Sequence, residues 1–155
     1  MNIEQMTIAD YDELIQLWQG CDGIGLHLHD VDSRQGIDAY LYRNPGSSFV
    51  ARDRGRLVGA VLCGHDGRRG YLHHLAVAPP HREHGIGRQL AGNALAALRS
   101  IGLRKCHLFV FNDNRPALHF WNRVGWCDRT DIILMSSSTD RWTAQSVSAD
   151  KEKRQ

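Results

Sequence analysis

Apolar residues recur along this chain with two different periods, and these periods predict both helices and strands. A spacing of three and four residues predicts four helices, over residues 11–19, 33–43, 86–101 and 116–124. Short β-rich runs bounded by turn residues predict six strands, over residues 1–6, 48–52, 57–63, 71–78, 105–111 and 126–136. Helices and strands therefore both contribute to the fold.

The order of these elements predicts how the strands pair. Residues 48–78 hold three consecutive strands separated by short turns, which favours an antiparallel meander. A long helix separates the strand at residues 71–78 from the strand at residues 105–111, so this pair is expected to run parallel through a right-handed crossover. The sequence thus predicts an α+β fold with a central mixed, mostly antiparallel sheet and about four helices.

Composition narrows the class of protein. A length of 155 residues predicts one domain, residues 1–137, followed by a polar tail at residues 138–155. A net charge of +2 gives no reason to expect nucleic acid or a membrane surface as a partner. The chain has neither a signal-peptide pattern nor an apolar run long enough to span a bilayer, and its four cysteines form no CxxC pair. We therefore expect a cytoplasmic protein with reduced thiols.

The best candidate for a ligand-binding segment is residues 71–88, YLHHLAVAPPHREHGIGR. A strand is stopped by Pro79 and Pro80, and a basic, glycine-containing loop then enters a helix. Amides at a helix N-terminus favour an anion such as a phosphate. An ordinary strand-to-helix turn remains the alternative, because the segment is neither a Rossmann GxGxxG motif nor a P-loop.

Two blocks in the sequence resemble the GNAT acetyltransferase superfamily. LAVAP at residues 75–79, followed by Arg82-x-x-Gly85-x-Gly87, is similar to motif A of that superfamily. The later block N-x-x-A-x-x-F-W-x-x-x-G-W, residues 114–126, is similar to its N-x-x-A-x-x-F-Y-x-x-x-G-F block. The resemblance covers roughly residues 1–136. It implies a GNAT-like fold in which the parallel strand pair is splayed.

The resemblance also implies an activity and a set of site residues. The donor would be acetyl-CoA, used without a metal, and the acceptor a small amine, a peptide N-terminus or a lysine. The backbone N–H of Leu75 would support the thioester oxyanion. Leu75 is also among the residues that would hold the cofactor, which are Leu75, Ala76, Val77, Arg82, Glu83, His84, Gly85, Ile86, Gly87, Arg88, Asn114 and Trp121. A homodimer is consistent with this superfamily, but the sequence itself gives no sign of one.

Proton transfer is assigned to the strand at residues 71–78. Alternation places Tyr71, His73 and Leu75 on one face and Leu72, His74 and Ala76 on the other. This strand is similar to that of arylalkylamine N-acetyltransferases, which carry histidines at the positions of Tyr71 and His73. His73, or a water that it holds, is therefore our candidate general base, with Tyr71 as a second candidate. A half-buried histidine without a catalytic role is the alternative for His73.

One position departs from the superfamily pattern. Trp121 occupies the place of the tyrosine that protonates the leaving thiolate, and an indole cannot serve as that acid. A thiolate with a pKa of about 8.5 is nevertheless a tolerable leaving group at neutral pH. The alternative function is a non-catalytic or weakly active acyl-CoA-binding module.

Residues 20–32 form a long loop in the region where this superfamily builds its acceptor site. Asp22, Asp30 and Asp32 could select a cationic amine, but a solvated loop with a helix cap at Asp32 is the simpler interpretation. His27 and His29 lack further ligands at a convincing spacing, so no metal site is predicted.

Overall fold

The computed structural model describes residues 1–140 of the chain. Its α-helices are α1 (Tyr11–Gln19), α2 (Arg34–Arg43), α3 (Ile86–Ser100) and α4 (Arg115–Arg123). Its strands are β1 (Asn2–Gln5), β2 (Phe49–Asp53), β3 (Arg56–His65), β4 (Gly70–Val77) and β5 (Cys106–Leu108). No helix in this part of the chain is long and apolar enough to cross a lipid bilayer.

The five strands form one sheet in the order β1-β2-β3-β4-β5. The first three neighbouring pairs are antiparallel, while β4 and β5 are parallel because α3 carries the chain across the sheet between them. The predicted α+β fold with a mixed, mostly antiparallel sheet is confirmed.

Local sequence explains where the helices begin. The Ser33 hydroxyl accepts a hydrogen bond from the Gly36 N–H, and the Asn114 side chain accepts one from the Ala117 N–H. Each of these side chains satisfies a backbone donor that the first helical turn leaves unpaired. Ser33 rather than Asp32 therefore caps α2, which frees the Asp32 carboxylate for other contacts.

Apolar side chains cover the sheet on both faces. One face packs against α1 and α2 through Leu14, Trp18, Ile37, Val50 and Leu62, all of which are buried. The buried stripe of α3 covers the other face, where Ile86 and Leu90 lie directly over Gly59. The two layers enclose β3 and β4, and these strands support the site described below.

A matched pair of glycine substitutions tests this packing. Gly64→Ala would place a methyl group 2.4 Å from the Tyr40 hydroxyl and 2.6 Å from Asn44, so we expect it to lower the free energy of unfolding by about 1–3 kcal/mol. Gly92→Ala adds a methyl group to the exposed side of α3, where no atom lies within 4 Å. We expect it to raise that free energy by about 0.5–1 kcal/mol. Urea denaturation of the two variants checks both signs, and equal effects would contradict the packing described.

Two predicted strands differ from those observed. The strand expected over residues 105–111 is confined to Cys106–Leu108. The strand expected within residues 126–136 is wrong for the described chain, because residues 125–140 form none. A β-rich run forms a strand only where a neighbouring strand pairs with it, and composition alone does not supply that partner. Trp142 and most of the predicted tail lie outside the described residues.

Residues Met1–Val124 form one compact unit that contains all nine elements named above. A second unit starts at Gly125, and within it Arg129 and Asp131 form a salt bridge of 2.7 Å. The predicted boundary of the domain at residue 137 stays a prediction.

Candidate active site

A gap opens between the two parallel strands β4 and β5. Their pairing covers only Gly70, Tyr71 and Leu72 of β4, which face Cys106, His107 and Leu108. From residue 73 to Val77, β4 continues without a β5 partner in the described chain. Backbone groups on that side of β4 therefore need other partners, or a ligand.

A β-bulge deforms β4 at the mouth of this gap. Ala76 pairs with Ala60 and His73 pairs with Leu62, so His74 and Leu75 together oppose one residue of β3. His74 adopts a φ of +51°, in the left-handed region that only a few non-glycine residues visit. The expected alternation is therefore wrong at His74, whose ring lies 6.4 Å from the ring of His73 rather than on the opposite face.

Side chains satisfy two carbonyls of the unpaired segment. The Trp18 indole N–H donates to the His74 carbonyl at 3.0 Å, and the Arg82 Nε–H donates to the Val77 carbonyl at 2.9 Å. The Cys21 thiol also reaches the Val77 carbonyl, at 3.7 Å. Arg82, expected from its sequence position to bind phosphate, thus fastens the loop to the end of β4.

The loop that enters α3 turns through two left-handed residues. Glu83 has a φ of +65° and Gly85, the N-cap of α3, has a φ of +79°. His84 folds back so that its Nδ1 lies 2.6 Å from the Arg82 carbonyl oxygen. The first intrahelical bond runs from the Gln89 N–H to the Gly85 carbonyl, so the amides at the start of α3 have no partner within the helix. They form an anion-binding end of the kind that phosphates occupy.

The first turn of α3 contains three of the residues expected to bind the cofactor, and each has different surroundings. Ile86 is buried, so only its backbone can take part in binding. Gly87 is in close contact with α4, since a Cβ there would lie 3.2 Å from the Phe120 ring. Its small size therefore serves the packing of α3 against Phe120, a reason that the sequence did not reveal. Arg88 is exposed, and its guanidinium is available to an anion.

The start of α4 lies opposite the long loop at residues 20–33. Asn114 caps α4 and packs so closely on Gly23 that a Cβ there would meet its side-chain nitrogen at 2.0 Å. Trp121, expected beside the cofactor, is only 9% exposed and lies against Phe120, with ring centroids 5.0 Å apart. Its indole is thus largely enclosed by protein.

His73 lies in an aromatic cluster that includes Tyr40 of α2. Its ring stacks at 6.5 Å from Tyr71 and 6.4 Å from Phe109, and Tyr40 meets it edge-on at 6.1 Å. Burial, reinforced by the neighbouring His74, lowers the pKa of His73 below its ordinary value of 6.5. His73 is therefore neutral at pH 7, the state that a proton acceptor needs.

Tyr71, the second candidate for proton transfer, is oriented differently. Its hydroxyl donates to Asp66 at 3.3 Å, in the turn between β3 and β4. Tyr71 thus contributes its ring to the cluster around His73. Its hydroxyl is hydrogen-bonded to the turn before β4, away from Leu75.

An aspartate–histidine pair occupies the bulge, and sequence reasoning missed it. Asp32 Oδ1 lies 2.7 Å from His74 Nε2, and Asp32 Oδ2 accepts from the His27 N–H at 2.8 Å. Asp32 is 2% exposed, so its interpretation as a solvated cap is wrong. The adjacent histidines in YLHHL and the aspartates of DVD at residues 30–32 were the available signal, but the left-handed turn at His74 that lets it meet Asp32 has no sequence marker. Within residues 1–140, no group of three or more His, Cys, Asp or Glu side chains is arranged to hold a metal ion.

Comparison with known proteins decides the family. The model of the acetyltransferase (GNAT) family matches residues 11–126, which include the bulge, the gap and the start of α3. The chain belongs to the GNAT acetyltransferase family. An acetyltransferase of Pectobacterium atrosepticum is 32% identical over 135 residues, covering 87% of this chain and 93% of that relative. This GNAT protein is accordingly an acetyl-CoA-dependent acetyltransferase, and the enzyme is the better supported of the two functions considered from sequence.

Solved structures share the GNAT fold at low sequence identity. PaiA N-acetyltransferase from Thermoplasma acidophilum, solved with coenzyme A, superposes with a TM-score of 0.69 at 18% identity, covering 79% of this chain and 86% of that one. An aminoglycoside 6'-N-acetyltransferase from Acinetobacter haemolyticus gives a TM-score of 0.72 at 15% identity, covering 90% and 100%. At these identities the likeness supports the fold alone.

Proposed function

We propose that this GNAT protein transfers the acetyl group of acetyl-CoA directly to the nitrogen of a primary amine. The observation that carries the proposal is the β4–β5 gap, which starts beside His73 and is followed along the chain by the amides at the start of α3, which have no partner within the helix. A thioester can lie against the unpaired edge of β4 while the pyrophosphate lies at the helix N-terminus.

In this proposal the backbone of β4 holds the donor. The pantetheine arm extends along Leu75, Ala76 and Val77 as a short pseudo-strand, and the Leu75 N–H supports the oxygen that becomes negative in the tetrahedral intermediate. Asn114, at the start of α4, borders the donor on the other side. The amides of residues 85–88 and the Arg88 guanidinium hold the pyrophosphate, with Glu83 and His84 shaping the loop around it.

Proton transfer in this proposal rests on His73. As the amine nitrogen bonds to the thioester carbon, His73, directly or through a water, takes the proton that the nitrogen loses. The C–S bond then breaks and coenzyme A leaves as a thiolate, which needs no protein acid at neutral pH because a thiol has a pKa of about 8.5. The enclosed Trp121 is consistent with a reaction that uses no acid at that position.

The experiment that tests the function is an acceptor screen. Thiol release from acetyl-CoA would be followed with simple alkylamines, a peptide with a free N-terminus, an N-blocked peptide containing lysine, and an aminoglycoside, since aminoglycoside acetyltransferases share the fold. Each amine is matched by the corresponding alcohol or capped amide. We expect release with at least one amine and none with its match. Coenzyme A binding without release on any amine would contradict the proposal.

Arg88 provides a test of the donor half alone. Removing its charge with Arg88→Gln should raise the KM for acetyl-CoA by a factor of about 10 to 100, because a charge-assisted contact to phosphate contributes about 1.5–3 kcal/mol. Arg99→Gln removes an exposed charge from the far end of the same helix and should leave this KM unchanged. Equal effects of the two substitutions on the KM would show that Arg88 does not contact the cofactor.

A further inference from the structure

The Asp32–His74 pair has the geometry of a proton acceptor that the mechanism above does not use. Asp32 Oδ1 lies 2.7 Å from His74 Nε2. An ionised carboxylate has no hydrogen to donate, so it can only accept a hydrogen bond from the ring. In the neutral form of the ring, this contact therefore places the hydrogen on Nε2 and the lone pair on Nδ1. Within residues 1–140 Nδ1 has no hydrogen-bond partner, and it is not sealed from solvent. This is the arrangement in which a carboxylate orients an imidazole as a base.

The fold keeps this pair in place from three sides. The His74 carbonyl is held by the Trp18 indole, and the two rings lie 5.0 Å apart. The second oxygen of Asp32 is held by the His27 N–H, and the Asp32 carbonyl accepts from the Tyr11 hydroxyl at 2.9 Å. A non-glycine residue at a positive φ costs free energy that the surroundings must offset. Here those contacts fix His74 next to Leu75, the proposed oxyanion donor.

The chemistry of an amine acceptor requires more than one proton to leave. A primary alkylamine arrives at pH 7 mostly as R–NH3⁺, since its pKa is about 10. One proton must leave before the nitrogen has a lone pair, and a second leaves as the C–N bond forms. His73 takes the second proton in the mechanism proposed above, so the first has no assigned acceptor.

We propose that His74, oriented by Asp32, takes the first proton from the bound ammonium group of the acceptor. This step rests on the proposed function. R–NH3⁺ gives its proton to Nδ1, which leaves R–NH2 and an imidazolium paired with the Asp32 carboxylate. R–NH2 then attacks the thioester, His73 takes the second proton, and the C–S bond breaks. His74 returns its proton to solvent. His74 is a catalytic residue in this scheme, and Asp32 is a positioning residue.

The charged and titratable groups around His74 are consistent with this division. Asp32 faces the ring from the segment before α2, and His73 faces it from β4 at a centroid distance of 6.4 Å. Burial and the neighbouring His74 oppose a positive charge on His73, whereas the imidazolium of His74 would lie against a carboxylate. The two histidines thus suit different steps of the reaction.

The decisive experiment compares two acceptors that differ only in their basicity. Ethylamine is protonated at pH 7, whereas 2,2,2-trifluoroethylamine is neutral and needs no first deprotonation. His74→Gln keeps a side-chain N–H for Asp32 and removes the base. We expect it to lower kcat/KM for ethylamine about 100-fold at pH 7, and far less at pH 10, where free amine is abundant. Its kcat/KM for the fluorinated amine should stay within about twofold of the wild-type value.

Other variants separate this proposal from folding defects and from the proposed function. Asp32→Asn should share the selective loss with ethylamine, while His73→Gln should slow both amines equally. His65→Gln, at the end of β3 outside the site, should change neither, and thermal melts verify folding of every variant. Nitrogen-15 NMR of the wild-type imidazoles should find the His74 hydrogen on Nε2.

Three results would overturn the proposal. These are equal losses with both amines for His74→Gln, no loss with either amine, and a His74 hydrogen on Nδ1. A wild-type enzyme that acetylates no amine at all would instead refute the proposed function, and this step with it.

Discussion

His73→Gln is expected to reduce kcat about 100-fold, with any acceptor amine, while the KM for acetyl-CoA changes little. General-base catalysis contributes a factor of this size or more, and glutamine fills a similar volume without accepting a proton. His73 lies beside the unpaired stretch of β4 and within the cluster of Tyr71, Phe109 and Tyr40. Steady-state kinetics with the best amine of the acceptor screen give both constants.

The pH dependence supplies the control for this prediction. Burial lowers the pKa of His73 below 6.5, so the base is neutral at pH 6.5 and above and becomes protonated only in more acidic solution. With 2,2,2-trifluoroethylamine, which needs no first deprotonation by His74, the wild-type kcat should therefore fall on an acidic limb that lies below pH 6.5. His73→Gln should lose that limb, and a variant that keeps it would remove His73 from the mechanism. Tyr71→Phe, which keeps the ring but loses the bond to Asp66, should keep both the limb and most of the activity.

Gly85→Val is expected to raise the KM for acetyl-CoA 10-fold or more. Gly85 has a φ of +79°, and a β-branched residue is strained there by about 1–3 kcal/mol, so the loop should shift to relieve it. That shift misaligns the amides that open α3, where the pyrophosphate is proposed to bind. Steady-state kinetics at saturating amine measure the KM, and the kcat should fall less.

Gly102→Val is the matched control for this loop. Gly102 has a φ of +85° after the end of α3. A Cβ at Gly102 meets no atom within 4 Å, and a Cβ at Gly85 meets only the end of the Gln89 side chain, at 3.9 Å. The two substitutions impose similar backbone strain at opposite ends of one helix. Equal effects on the KM for acetyl-CoA would mean that strain alone, rather than the geometry of the donor loop, produces the loss.

The elements that sequence predicted well are those in which the local pattern and the tertiary contacts agree. The spacing of Leu14 and Trp18 in α1 predicted a buried face, and both side chains are fully buried. The crossover through α3 predicted the parallel pairing of β4 with β5. In these elements one periodicity decides which side chains meet the core, so the sequence is sufficient.

The parts that sequence missed depend on long-range contacts. The bulge at His74 depends on the pairing of β4 with β3. It also depends on the hydrogen bond that the Trp18 indole, 56 residues away in sequence, donates to the His74 carbonyl. Strict alternation then assigns His74 to the wrong face and leaves Asp32 without a partner. Likewise, Gly87 resembles a ligand-binding glycine until Phe120 is found against it. Motif spacing predicted a candidate donor site, whereas the Asp32–His74 pair could be found only from the fold.

The proposed binding of coenzyme A between the bulge of β4 and the start of α3 is tested most directly by amide NMR. Adding coenzyme A to protein labelled with nitrogen-15 should shift the backbone amides of Leu75, Val77 and residues 85–88 more than any others. The amide signals of β1 and β2, which lie at the opposite edge of the sheet from β5, should stay unchanged. Saturable shifts that fall elsewhere, with Leu75 and residues 85–88 unaffected, would contradict this placement of the cofactor.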